Sequence, residues 1–269
     1  MSEAKRARRW LSGIALLATL LAPTRAQAEA DASHPYVYQR GGHGTAGVVS
    51  VEVETAYGSR DARPFGAAGM EQGARARWTP LGWLTAEGWS GVLFTGGAYR
   101  ATAAAVDVHV GVLNQADHYV NLTLSGGYLF DYQQVHVPRL RATLGRSWGP
   151  LDTALSGYLE IPTAKGRDAV DLVVALAASY RVAPWARLGL ELEGQDLEGF
   201  WEPEEAEGGA KLVLGPTAWF RVWDGLYAKL NVGAIVPATT NAPTNVVAGA
   251  ASTYDYGVLA RAVAGWTFD

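Results

Sequence analysis

Asp107 and His109 are the nearest approach to catalytic chemistry in this chain: they stand two positions apart, which on an extended strand puts a carboxylate and an imidazole on one face. Such a pair could orient a base beside a nucleophile, as hydrolysis requires. No Ser–Gly motif and no second acid accompanies it, so His109 is expected to be a polar wall residue and the protein is not expected to be an enzyme. His34 and His43, with Tyr36 and Tyr38 between them, match no standard ligand spacing, and neither a metal site nor a cofactor is expected. The acidic run Asp196, Glu198, Glu202, Glu204, Glu205 and Glu207 reads as a solvated loop. Cysteine is absent, which excludes disulfides, thiolate metal sites and a catalytic thiol.

The remaining charges recur at alternate positions and carry both signs. Asp107, His109, Arg139, Arg141, Asp171, Arg187, Glu191, Lys211, Lys229 and Arg261 are the residues expected to line an interior path, together with Glu52, Glu54, Asp152, Glu160, Glu193 and Arg221. Mixed charges on one face suit a weakly selective water-filled path, and they equally suit pairing across a narrow interior. Val173, Ala175, Ala177, Leu259 and Val263 share the inward positions and add small apolar groups. Inward Gly111, Gly189, Gly233, Gly257 and Gly265 are expected to leave room in the interior.

The elements that must hold these residues are strands. Val106, Val108, Val110 and Val112 alternate with Asp107, His109 and Gly111, and Leu188, Leu190 and Leu192 alternate with Arg187, Gly189, Glu191 and Glu193. The last segment places Tyr256, Val258, Ala260, Ala262, Ala264, Trp266 and Phe268 opposite Asp255, Gly257, Arg261 and Thr267. A helix would scramble these faces at its 3.6-residue period. Twelve such segments begin near Gly47, Gly69, Leu81, Tyr99, His118, Val135, Leu151, Asp168, Trp185, Gly209, Leu226 and Tyr254, with ten to fourteen strands compatible with the pattern.

Connections alternate in length. Thr79-Pro80, Leu113 to Asp117, Gly149-Pro150, Arg181 to Pro184 and Trp223 to Gly225 are compact turns. Tyr57 to Phe65, Trp89 to Ala98, Pro162 to Arg167, Gly194 to Gly208 and Pro237 to Ser252 are longer, and Asp131 to Gln134 is a short exception among them. Short periplasmic turns alternating with long outer loops are the pattern of an outer-membrane barrel, whereas a soluble sandwich has no reason for it. Trp78, Trp148, Tyr180, Trp223, Trp266 and Phe268 fall at the short-turn rim, where a membrane-interface girdle belongs.

The N-terminus carries its own signal. Lys5 to Arg9 precede an apolar run from Trp10 to Ala22, followed by Ala26-Gln27-Ala28, a complete secretory pattern too short to span a bilayer as a helix. Residues 1–28 are expected to be removed, 29–46 to form a flexible periplasmic leader, and 47–269 to form the barrel. Five of the 22 basic and one of the 26 acidic residues fall in the removed segment, so the mature part carries 17 and 25 and a net charge of −8. That balance gives no reason to expect a nucleic-acid partner.

These features resemble bacterial outer-membrane barrels as a class, including a final strand that ends in Trp266 and Phe268 with Asp269 after them. The resemblance implies recognition of that strand by the barrel-insertion machinery, and contact with outer-membrane lipid and lipopolysaccharide. The stretch Leu214-Gly215-Pro216-Thr217, followed by Asn231-Val232-Gly233, is similar to the barrel family of the MetA pathway of phenol degradation. That similarity implies passage of small solutes, hydrophobic compounds among them. The expectation is therefore an all-β transmembrane barrel acting as a channel or transporter, with a closed structural or adhesive surface barrel as the alternative.

Overall fold

The computed structural model describes residues 44–59, 68–164, 170–197, 210–238 and 256–268. The signal segment and nearly all of the leader lie outside them, as do His34, His43 and most of the acidic run. Twelve strands close into one antiparallel barrel, each paired with its sequence neighbours and β1 paired with β12. They are β1 (Val49–Gly58), β2 (Gly69–Leu81), β3 (Leu84–Thr95), β4 (Ala98–Leu113), β5 (Asn121–Phe130) and β6 (His136–Trp148). β7 (Leu151–Glu160), β8 (Asp171–Ala183), β9 (Ala186–Gln195), β10 (Lys211–Arg221), β11 (Leu226–Pro237) and β12 (Gly257–Phe268) complete the wall. Closure satisfies the backbone donors and acceptors of the first and last strands, as a spanning sheet in lipid requires.

Two-residue alternation sorts the side chains. Val106, Val108, Leu124, Leu140, Leu155, Leu176, Leu190, Leu230, Val232 and Val258 are exposed on the outer surface. In water such a surface would be an aggregation hazard; around a barrel it is the lipid-facing band. Their inward neighbours are largely polar and buried.

The two rims differ. Val49 pairs with Phe268 at one of them, so the barrel begins and ends on the same side. That rim carries the tight connections at Gly82-Trp83, Gly149-Pro150, Pro184-Trp185 and Val222 to Gly225, and it is the periplasmic one by the rule of short periplasmic turns. It also carries one helical turn, α1 (Gln115–His118), capped by the Asn114 side chain accepting from the Ala116 N–H and ended by Tyr119 at φ 65°. Gly44 N–H and Gly47 N–H bond to the Gly82 and Thr79 carbonyls, so the chain just before β1 is tied to this rim.

Two connections differ from the sequence expectation. β3 continues to Thr95 and turns through Gly96-Gly97, both at positive φ, so the long link expected from Trp89 to Ala98 is a two-residue hairpin. Gly88, Gly91 and the polar residues lower the intrinsic strand preference of this stretch, and pairing on both sides overrides it. At the other rim β2 runs through Thr79-Pro80 to Leu81, with a register shift between Trp78 and Leu81. Thr79 still pairs with Val48, and Pro80, which has no N–H to give, sits in the irregular end that tolerates it.

Candidate functional site

The candidate site is the barrel interior. All ten residues expected to line a path have their side chains there: Asp107, His109, Asp171, Arg187, Glu191, Lys211 and Arg261 are buried, and Arg139, Arg141 and Lys229 are partly so. The six expected girdle residues, Trp78, Trp148, Tyr180, Trp223, Trp266 and Phe268, are exposed at the periplasmic rim.

The interior charges are organised around ion pairs. Arg75 of β2 reaches Glu52 and Glu54 of β1, both at 3.1 Å, and Glu87 of β3 at 3.0 Å. Arg261 of β12 pairs with the same Glu54, while Lys229 and the Tyr227 hydroxyl of β11 reach Glu52 at 2.8 and 2.9 Å. Trp89 donates its indole N–H to Glu54 at 2.5 Å. Elsewhere Arg139 pairs with Asp107, Arg187 with Asp152, and Lys211 lies 3.7 Å from Asp196. Buried charges remain ionised in a dry interior only when offset in this way.

Several of these bonds skip a strand, and glycine makes that possible. Asp107 and Arg139 lie on β4 and β6, and the β5 residue in register between them is Gly127. A Cβ there would overlap the Asp107 carboxylate. Gly265 lies between Glu52 and Tyr227 in the same manner, and Gly73 lies beneath the Glu54–Trp89 bond. At two of the inward glycines the expected room is occupied: at Gly265 it is filled by the Tyr227 ring, and at Gly189 the Ser179 side chain and the Ala178 carbonyl stand against it.

Asp107 and His109 do not pair with each other, because Asp107 is taken by Arg139. His109 instead shares a 2.8 Å hydrogen bond between Nδ1 and the Ser125 hydroxyl, with Nε2 4.0 Å from Glu87. Adjacent inward residues on β3, β4 and β5 meet here because the register sets His109 against Ser125. Directly opposed cross-strand positions are the closer neighbours on a sheet face, and here they decide the partner of His109.

Arg141 differs from the paired arginines. Its guanidinium carbon lies 3.9 Å from the centroid of the Tyr158 ring, and Nη1 is buried without a hydrogen-bond partner among the described residues. A cation resting on a π face keeps more of its field for a passing ion than one bonded to a carboxylate.

An apolar strip lies beside the charges. Ala56, Val213, Ile235 and Leu259 of β1, β10, β11 and β12 form one cluster, and Tyr158, Val173 and Ala175 form another. The expected inward residues Ala177 and Val263 are buried as well.

One interior residue lies beyond what strand alternation indicates. Tyr132, in the short β5–β6 connection, places its hydroxyl beside Gly91 of β3 and packs edge-on against Trp89, with ring centroids 6.3 Å apart. Burial and the Glu71 carboxylate both push its phenol above the ordinary value, so it remains neutral. The anomalously short outer connection is the one visible signal for it.

No family model matches the chain, and no curated protein matches it by sequence. The narrower similarity to the phenol-degradation barrels thus rests on the Leu214 to Thr217 and Asn231 to Gly233 stretches alone. Solved structures do match by shape. A KdgM porin aligns with TM-score 0.56 at 8% identity, over 82% of this chain and 99% of its own. A second KdgM structure, in complex with disordered oligogalacturonate, gives 0.57 over the same shares at the same identity. A NanC porin gives 0.54 at 8% identity, over 79% of this chain and 98% of its own. The chain therefore has the fold of outer-membrane β-barrels.

Proposed function

We propose that the protein is an outer-membrane channel passing small solutes, hydrophobic ones included, through an interior held nearly shut by its own side chains. The observation that carries this reading is a polar interior in a twelve-strand barrel. A barrel of this size is wider than the eight-strand kind that side chains simply fill, yet narrower than sixteen-strand porins. Ion pairs between strands one and two apart anchor charges to the wall, whereas a purely structural barrel could be filled with apolar groups at less desolvation cost. Ala56, Val213, Ile235 and Leu259 pack into an apolar strip beside the charges, so the interior is not uniformly polar.

A second reading, a closed structural surface barrel, is favoured by one observation: Ser156, Asp171 and Leu259 are 0% exposed, so the interior is filled around them. Conductance of the purified protein in planar bilayers, with solute flux into liposomes, separates the two. The expected outcome is a small, intermittent conductance. Absence of both conductance and flux would replace the channel with the closed barrel.

A further inference from the structure

We propose that Tyr132 is a built-in constriction of the outer mouth, a side chain delivered into the lumen by a fixed turn and seated in a notch cut for it in the adjacent β3–β4 hairpin. The proposal deepens the channel reading and rests on it for its consequence in transport. Four observations carry it.

The first is the turn. The β5–β6 connection is braced by Asp131, whose carboxylate accepts from the Gln133 and Val135 N–H groups, both at 2.9 Å. Gln134 stands at φ 64° and its side-chain amide donates to the Thr102 carbonyl of β4 at 3.1 Å. A turn closed by its own Asp side chain and tied to the neighbouring strand is rigid, so Tyr132 is aimed by the backbone.

The second is the notch. Gly91 faces inward on β3, and a Cβ there would overlap both the Tyr132 hydroxyl and the Trp89 ring. Any side chain at this position would expel one ring or the other. The third is the path between. Reaching β3 from the β5–β6 connection means passing over β4, whose inward residues at this level are Ala103 and Ala105, the register partners of Gly91 and Trp89. Both are small and buried. The fourth is the end of the path, where Trp89 is held by its 2.5 Å bond to Glu54 and presents its ring to that of Tyr132.

A ring fixed at both ends in this way sets the free cross-section at the outer mouth. A solute entering from outside must pass beside the Tyr132–Trp89 pair before it meets the deeper charges. The constriction is a fixed filter, with its width set by one phenol ring and with no moving part.

Two readouts test this on the full-length protein. In planar bilayers, Tyr132→Ala should raise conductance severalfold and admit larger solutes into liposomes. Tyr132→Phe should match the wild type, because the ring does the obstructing. The second readout does not depend on conduction. A cysteine introduced as Ala103→Cys, in this cysteine-free chain, should resist an impermeant maleimide added from outside and become reactive when Tyr132→Ala is combined with it. If Tyr132→Ala changes neither conductance nor this protection, the constriction is refuted. If neither protein conducts but the protection is lost in the Tyr132→Ala background, the seat of Tyr132 stands and the channel reading fails.

Discussion

At the scale of single residues, the interior arginines divide by what they face. Arg261 is 5% exposed and bound to Glu54, which also receives Arg75 and Trp89. Arg141 rests on Tyr158, and its Nη1 has no such bond among the described residues. The same substitution should therefore do different things at the two sites. Arg141→Glu should leave the barrel folded and move the reversal potential in a salt gradient toward cations, because a charge facing the path is reversed. Arg261→Glu should instead cost about 3–5 kcal/mol, the range for breaking a buried pair, since Glu54 loses a partner and gains a like charge. Denaturant unfolding in detergent micelles reads the second effect and bilayer recordings the first. Equal stability losses at both positions would show that Arg141 holds the wall together just as Arg261 does.

At the scale of strands, most of the architecture is visible in the alternation of residue types. β8 shows why: its inward Asp171, Val173, Ala175 and Ala177 and outward Leu172, Val174 and Leu176 are both largely apolar, yet flanking strands with clear alternation fix its register. The failures have the same root. Trp89 to Ala98 reads as a loop because its glycines and a serine weaken local strand preference, and only the cross-strand partners reveal why Gly91 is there. Gly265 is legible as an inward position, but neither it nor Gly73 and Gly127 are legible as clearances for bonds between strands two apart. That geometry depends on register, which a single sequence does not display. The outward face makes a sharper statement. Leu190 is 58% exposed near the middle of β9, between the girdled rims, so Leu190→Arg should destabilise the barrel by about 2–4 kcal/mol in a bilayer. The same change at Val222, in the periplasmic-rim turn, should cost about 0–1 kcal/mol. Reversible unfolding into lipid vesicles measures both, and equal costs would contradict a lipid-facing band.

At the scale of the whole barrel, everything said about mouths and rims depends on orientation. β1 begins and β12 ends at one rim, where Val49 pairs with Phe268, and the residues just before β1 are tied to that rim through Gly44 and Gly47. The four tightest described connections at this rim span two to four residues, and Trp78, Trp148, Tyr180, Trp266 and Phe268 ring it. Short turns belong on the periplasmic side of such barrels and the longer loops outside. Tyr57, Tyr99, Tyr128 and Tyr256 are exposed near the opposite ends of their strands, which supplies the second interfacial belt and sets the thickness of the apolar band between them. The connections leaving that second rim include those between β7 and β8, β9 and β10, and β11 and β12, which are the long ones in sequence. Because the chain contains no cysteine, orientation can be read by single introductions. Cysteines placed by Thr239→Cys, between β11 and β12, and by Glu204→Cys, between β9 and β10, should react with an impermeant maleimide on intact cells. One placed by Asp224→Cys, exposed in the β10–β11 turn, should react only after the outer membrane is opened. Labelling of Asp224→Cys alone on intact cells would invert the barrel and move the Tyr132 constriction to the periplasmic mouth. Equal labelling at all three positions would mean that no bilayer separates the rims, and the apolar band of Val106, Leu140, Leu190 and Leu230 would then need a protein partner to cover it.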